Sequence, residues 1–243
     1  MANKREAMVS IMDEKRSAPP EAEDGLQAGA LAGAVLAGGQ NRRMGGRLKA
    51  LLPLGGQLFI ERQLEALEQI CGDIVIVTNE PQAFDPVLEA RSQRLQHRIE
   101  RGPAAPARVR VIPDLHPGRG PLAGMQAALA ASRCEALWVV ACDMPFASAA
   151  AAGAMAELLR NDASCDAVVP RVGGRLHPLH AVYRKRCLAA VSGLLDAGIH
   201  RVMDLFQQLK VMEADEQYFA ERGIPPEFCR NVNEPDDWER LRI

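Results

Sequence analysis

The residues able to do chemistry gather in a few short stretches. The first reads Leu36-Ala37-Gly38-Gly39-Gln40-Asn41-Arg42-Arg43-Met44-Gly45-Gly46-Arg47-Leu48-Lys49. Glycines let backbone N–H groups approach a phosphate with no Cβ in the way. Arg42, Arg43, Arg47 and Lys49 add cationic donors, and a guanidinium can grip phosphate oxygens with two parallel bonds. A flexible turn with solvated charges is the alternative, but four cations directly after an apolar run favour phosphate. Neither Gly-Lys-Ser/Thr nor G-x-G-x-x-G occurs here, which argues against a GTPase switch protein and a dinucleotide dehydrogenase.

A second stretch, Cys142-Asp143-Met144-Pro145, follows the most apolar run in the chain. One carboxylate, together with triphosphate oxygens and waters, is a common way to hold Mg²⁺. An Asp there could equally cap the next helix. Cys142 reads as a small strand residue, since no His is placed in sequence to activate it. The third stretch is Ile112-Pro113-Asp114, followed by Pro117-Gly118-Arg119-Gly120-Pro121-Leu122-Ala123-Gly124. Asp114 is a candidate for metal, ribose or base; in isolation a turn and a helix start explain it as well. The fourth, Arg175-Leu176-His177-Pro178-Leu179-His180, offers either structural histidines or a lining for an anionic or pterin-like acceptor. In the fifth, Asn231-Val232-Asn233-Glu234-Pro235-Asp236-Asp237, Asn233 reads as a capped entry to a last short helix.

These stretches need a frame. Ala30–Leu36 reads as a first strand, Leu58–Ile70 as a helix with apolar residues at Ile60, Leu64, Leu67 and Ile70, and Ile74–Thr78 as a β-branched strand. Val109–Ile112 and Ala136–Ala141 read as further strands, the latter central and buried. Pro121–Ala131, Ala149–Arg160 and Cys187–Ala197 suit helices, the first with Pro in its opening turn. Val168–Val169 and His180–Tyr183 supply strand pieces between them. Gln82–Arg108 breaks the rhythm and reads as a helix followed by a loop. Strands alternating with helices imply βαβ units and a mostly parallel sheet covered on both faces, with right-handed crossovers. Ligands in such sheets bind beyond the carboxyl ends of the strands. The chemistry-bearing residues follow Leu36, Thr78, Ile112 and Ala141, where those ends fall.

The chain of 243 residues, 48% hydrophobic and 25% charged, is long enough for a sizeable core. A net charge of −2 gives no global pull toward nucleic acid or an anionic membrane. No apolar stretch approaches a membrane span, and the N-terminus lacks the apolar region of a signal peptide. Residues 1–28 read as a mobile polar tail before a single domain over 29–243. Six scattered cysteines without a C-x-x-C pair fit reduced thiols in a cytoplasm. Trp138 and Trp238 read as packing residues.

Taken in order, L-A-G-G-x-x-x-R-M-G-G-x-x-K, a strand ending in Asp, G-P-L-A-G-M, C-D-x-P, H-P and N-V-N-x-P resemble the MobA-type molybdenum cofactor guanylyltransferases. The resemblance runs from about Ala34 to Trp238. It implies a Rossmann-like, three-layer α/β nucleotidyltransferase fold, Mg²⁺ as cofactor, GTP as donor and Mo-molybdopterin as acceptor. Candidate partners beyond these substrates are molybdoenzyme chaperones or other cofactor-biosynthesis proteins. Leu36, Ala37, Gly38 and Gly39 match the family's nucleotide loop, and Arg43 and Lys49 its phosphate contacts. Asp114 matches an Asp that contacts GTP, Asp143 matches the metal-binding Asp, and Asn79 lies near a guanine-nucleotide contact. His177, Asn231 and Asn233 match positions on the acceptor side. The sequence departs from the pattern at Leu48, where the family usually has Asp.

Two other readings stand beside this one. Cytidylyltransferases acting on molybdopterin, and transferases acting on sugar phosphates, usually show L-A-A-G in the first loop; the second Gly here leaves more room for a purine. A non-catalytic nucleotide-binding protein is the reading that Leu48 invites.

Overall fold

The computed structural model describes residues 31–38, 48–99, 106–233 and 237, with side chains up to 96 in the second of these segments. The tail expected over 1–28 lies outside them. Small and β-branched residues form β1 (Leu31–Leu36), which is buried along its whole length. A short hairpin, β2 (Pro53–Leu54) and β3 (Gln57–Leu58), turns at Gly55 and Gly56, whose φ values of 57° and 84° suit glycine. Then come α1 (Phe59–Leu67), β4 (Cys71–Thr78), α2 (Asp85–Ile99), β5 (Arg108–Pro113), α3 (Pro121–Ala131) and β6 (Ala136–Ala141). The second half contains α4 (Ala149–Asn161), β7 (Ala167–Val172), β8 (Arg175–Leu176), β9 (His180–Arg184), α5 (Cys187–Asp196), α6 (Val202–Leu205), β10 (Val211–Asp215) and α7 (Glu216–Ala220).

The main sheet runs β10-β7-β9-β6-β1-β4-β5, with β8 paired to β7. The β6-β1-β4-β5 half is parallel throughout. β9 runs antiparallel to both β6 and β7, and β10 restores a parallel pair with β7. Alternating residues feed two cores, as the strand period of two requires. Val35, Ile74, Ile76, Trp138 and Val140 pack with α1, α4 and α7 on one face. Ala34, Val75, Val77, Leu137 and Val139 pack with α3, α5 and α6 on the other. This is the expected three-layer, mostly parallel architecture. No helix among the described residues is long and apolar enough to cross a membrane.

The elements fall close to their expected places, and α3 and β6 have the expected bounds. One difference lies after α1, which ends at Leu67 rather than Ile70. Its last turn tightens into three-residue bonds, Gln69 N–H to Ala66 O and Ile70 N–H to Leu67 O. That frees Cys71 to start β4 against Leu31, ahead of the expected Ile74. β10, which sequence periodicity did not single out, reads Val-Met-Glu-Ala-Asp with only Ala214 fully buried.

Candidate active site

The parallel half of the sheet brings four chemistry-bearing residues to one edge. Asp143 lies just beyond β6, Gly38 beyond β1, Asn79 beyond β4 and Asp114 beyond β5. Strands in a sheet lie about 4.8 Å apart, so this row spans roughly 14 Å, enough to lay out a nucleoside and its phosphates. Within the row a cavity of about 470 Å³ is lined by Leu36, Gly38, Asn79, Asp114, Gly118 and Gly120, among others.

Local chemistry explains the shape of this cavity. A Cβ on Gly38 would lie 3.7 Å from Asp114 Oδ2 and 3.8 Å from Asn79 Nδ2, so the glycine keeps open the space between these two side chains. Asp114 Oδ1 accepts from its own loop, at His116 N, 2.9 Å away. Gly120, at φ 75°, stands in the left-handed region as the N-cap of α3, where Pro121 takes the first helical turn.

At the other end of the row, Asp143 sits in a four-residue turn closed by Met144 N–H to Ala141 O at 3.1 Å. The backbone of this turn is held on every side. Ala141 N–H donates to Leu179 O at 2.8 Å, Cys142 N–H to Leu36 O at 3.1 Å, and Val232 N–H to Asp143 O at 2.8 Å. From α1, Gln63 donates to Ala141 O at 2.8 Å and Met144 O at 3.0 Å. The Asp143 side chain is treated differently. Oδ2 lies 3.8 Å from Lys49 Nζ, while Oδ1 is buried with no hydrogen-bond partner among the described residues. Burial raises the Asp143 pKa above the ordinary carboxylate value and outweighs the opposing pull of Lys49. An Asp cap is therefore not its role; Ser148 caps α4, its hydroxyl accepting from Ala151 N at 3.2 Å.

Lys49 Nζ donates to Asn233 Oδ1 at 3.0 Å, across 184 positions of sequence. Asn233 and Asp143 thus hold the lysine without a carboxylate at position 48, and Leu48 packs against the apolar core instead. Asn231 is exposed beside this cluster. His177 lies in the loop ahead of β9, and that loop borders the Asp143 turn through Leu179 O. The His177 ring stands 3.2 Å from Val172 O. Its neighbour His180 is fully buried between the rings of Trp138 and Phe228 and belongs to the core. Burial pushes the Cys142 thiol up to about 12, with Asp143 adding to the rise, so it stays protonated and is no nucleophile. Gly39 and Arg43 lie outside the described residues.

Gln63 is the contact that reading the sequence passed over. The signal was present: with Ile60, Leu64 and Leu67 on the buried stripe, position 63 shares that stripe by helical spacing, and a polar residue there needs a partner.

Known proteins echo this arrangement. Residues 33–212 match the family model described as the MobA-like NTP transferase domain. A probable molybdenum cofactor guanylyltransferase of Pelotomaculum thermopropionicum is 34% identical over 211 residues, covering 87% of this chain and 91% of its own. One from Methanosarcina mazei is 32% identical over 213 residues, covering 85% of this chain and 88% of its own. Among solved structures, molybdopterin-guanine dinucleotide biosynthesis protein A from Archaeoglobus fulgidus superposes with a TM-score of 0.63 at 27% identity, covering 87% of this chain and 96% of that one. A 4-diphosphocytidyl-2C-methyl-D-erythritol synthase from Anaerococcus prevotii, at 12% identity and a TM-score of 0.57, shares the fold.

Proposed function

The chain belongs to the MobA-like NTP transferase family, and from that premise we propose that it transfers GMP from GTP to the terminal phosphate of Mo-molybdopterin. The products are the guanine dinucleotide of the cofactor and pyrophosphate. Relatives of similar length that carry the guanylyltransferase name support donor and acceptor. The observation that carries the reading is the buried Asp143 Oδ1 with no partner among the described residues, beside Lys49 and in line with a glycine-walled cavity on the same sheet edge.

The acceptor phosphate attacks the α-phosphorus of GTP in line. A phosphate monoester is already anionic near neutral pH, so no strong general base is needed, and catalysis rests on positioning and charge. Gly38, Asn79 and Asp114 line the space for the nucleoside, with Leu36 and Ala37 at the strand end beneath. Lys49, held by Asn233, places its charge where the phosphates lie. Arg43 and Gly39 complete the phosphate loop by their place in its sequence. His177 and Asn231 border the acceptor's approach.

The site suits a divalent cation. A buried carboxylate oxygen without a partner is a hard, anionic donor, and a single carboxylate with phosphate oxygens and waters is how Mg²⁺ is commonly held. Among the described residues no cluster of three or more His, Cys, Asp or Glu offers an all-protein cage, which suits a metal that arrives with the triphosphate. Mg²⁺ held at Asp143 supplies neutralisation of charge on the phosphates. The reaction belongs in a reducing cytoplasm, a placement supported by six cysteines that are all free thiols.

The test is pyrophosphate release with GTP and CTP in parallel, with Mg²⁺ and intact Mo-molybdopterin. Release with GTP, together with a guanine dinucleotide product, is expected. Release with CTP alone overturns the donor, and binding of GTP with no release overturns catalysis.

A further inference from the structure

The turn that presents Asp143 is gripped by one side chain from a distant helix. We infer that Gln63 is a positioning residue for the nucleotidyl transfer: its amide clasps the Ala141–Met144 turn from behind and fixes where Asp143 points. The inference rests on the reading of Asp143 as the metal-binding carboxylate.

The geometry is specific. Gln63 is fully buried on α1, on the same face as Phe59, Ile60, Leu64 and Leu67. Its Nε2 donates to Ala141 O at 2.8 Å and Met144 O at 3.0 Å. Both partners are carbonyls, which only accept, so the NH₂ end must face them. These carbonyls belong to the first and last residues of the turn, and Cys142 and Asp143 are the two between. The amide bridges the ends of the turn and so resists its opening. Among the described residues, the other bonds to the turn's backbone come from main-chain groups: Leu36 O, Leu179 O and Val232 N. Gln63 is the one side chain in the set, and α1 lies just downstream of Lys49. One helix thereby ties the lysine's segment to the aspartate's turn.

The cost of this arrangement is visible at the other end of the same side chain. Gln63 Oε1 is buried with no hydrogen-bond partner among the described residues. A buried amide oxygen left unpaired opposes folding. On a face otherwise made of Phe, Ile, Leu and Ala, an apolar side chain of similar length avoids that loss but, among the described residues, takes away the donor to Met144 O. The glutamine thus leaves one of its own oxygens unpaired while gripping both ends of the turn, the arrangement that holding Asp143 in place requires.

Groups that orient a metal ligand typically change metal affinity or activity 10- to 100-fold when removed. The test compares the parent with Gln63→Met, which keeps length and bulk but donates nothing, and with Asp143→Asn. Mn²⁺ binding in the presence of GTP, with no acceptor so that no turnover occurs, is followed by electron paramagnetic resonance well below the melting temperature. The concentration of Mg²⁺ giving half-maximal transferase activity is measured in parallel.

Gln63→Met is expected to weaken Mn²⁺ binding by about 10- to 100-fold. It should raise the Mg²⁺ requirement to match, with much of kcat recovered at saturating metal. Parent-like Mn²⁺ affinity in Gln63→Met, with Asp143→Asn having lost it, overturns the positioning role even if the melting temperature falls. Parent-like affinity in Asp143→Asn overturns the underlying metal assignment instead. Where the methionine variant does not fold, Gln63→Glu replaces it. Protonated in this apolar setting, that side chain keeps one O–H donor. A smaller loss in the same direction is then expected, and parent-like Mn²⁺ affinity overturns the role.

Discussion

Two aspartates, one buried and one half-buried, flank the parallel strands at opposite ends of the sheet. Asp73, at the start of β4, is 2% exposed. Arg110 grips it with two bonds, Nη2 to Oδ2 at 2.7 Å and Nε to Oδ1 at 3.2 Å, and also donates to Ala131 O. Asp143, beyond the end of β6, keeps one oxygen without a partner among the described residues, and its cation lies at 3.8 Å. The residue type is the same, and each has an oxygen withdrawn from water, though the Asp143 side chain is 18% exposed. At the amino end of the sheet the carboxylate is saturated within the protein. At the carboxyl end it is left short, in a turn whose backbone is bonded to β1, to the loop ahead of β9, to Val232 and to α1. A rigid backbone around an unsatisfied side chain is how a protein presents charge to a ligand, since its geometry is set before the ligand arrives. A rigid backbone around a satisfied pair is scaffold.

The strongest way to break this contrast is Asp143→Ala. Loss of a preorganised charge contact commonly costs about 10²–10³-fold in kcat, and this variant is expected at the upper end. Its stability should move the other way. Burial raises the folded-state pKa of Asp143 above its unfolded value, so at neutral pH the ionised carboxylate opposes folding. Removing it should leave the melting temperature equal to or above the parent's. A large fall in melting temperature would make Asp143 a scaffold residue like Asp73.

Asp73→Ala is the mirror experiment. It strands Arg110, whose side chain is 23% exposed, without its carboxylate. Breaking a buried ion pair costs about 3–5 kcal/mol; the partial exposure of Arg110 lowers that to roughly 2–3 kcal/mol. Urea unfolding should show this loss, while kcat at a temperature where the variant is folded stays near the parent's. A selective fall in kcat would mean that the amino end of the sheet also serves the reaction.

His180 lies between these extremes and tests the scaffold side by pH. Ser148 N–H donates to its Nε2 at 3.3 Å, so the ring proton sits on Nδ1, which is buried with no partner among the described residues. Burial lowers its pKa to about 3, with His177 adding to the fall. The unfolded chain takes up that proton near pH 6.5. Between about pH 6.5 and 3 the unfolded state therefore holds more protons, and stability falls as pH falls. Over the span from pH 6.5 to 4.5 this amounts to roughly 2 kcal/mol. In His180→Phe, which fills the same aromatic nest, unfolding measured across that span should lose this part of the pH slope. An unchanged slope assigns the acid sensitivity to the carboxylates.

The sequence was most informative where local pattern and tertiary demand coincide. β6 and α3 were legible because an unbroken apolar run and a proline-started, alanine-rich helix need little from the rest of the molecule. The positions of Asp114 and Asp143 at strand ends were legible for the same reason. The pairing of Lys49 with Asn233 was not, because no local pattern links residues 184 positions apart. β10 escaped notice because an edge strand with one fully buried residue carries little alternation. The Gly55-Gly56 hairpin had a legible signal in its glycine pair, which suits a two-residue turn at positive φ. Gln63 had one as well, a polar residue on an apolar stripe, but the carbonyls it serves become visible only when β6 is packed against α1.

Gly38 tests the contrast at its finest grain, because it changes the ligand's space while leaving both aspartates in place. It lies beyond β1, between the strand ends that carry Asp143 and Asn79. An added Cβ would meet Asp114 Oδ2 at 3.7 Å and Asn79 Nδ2 at 3.8 Å, which are ordinary contact distances. Its φ is not among the positive ones, so alanine brings no backbone strain. Gly38→Ala should therefore fold like the parent, and its effect should fall on whatever fills the cavity of about 470 Å³. One methyl group misplaced in a pocket is worth about 1–3 kcal/mol of discrimination. At the low end that is roughly a 10-fold loss in kcat/KM for GTP, with CTP, whose smaller base needs less room, much less affected. Parallel kinetics with the two donors read the ratio directly. A ratio that does not move would mean that the base does not sit against Gly38. The row of strand ends would then bind the triphosphate in another direction, with Asn79 and Asp114 serving the ribose or the acceptor.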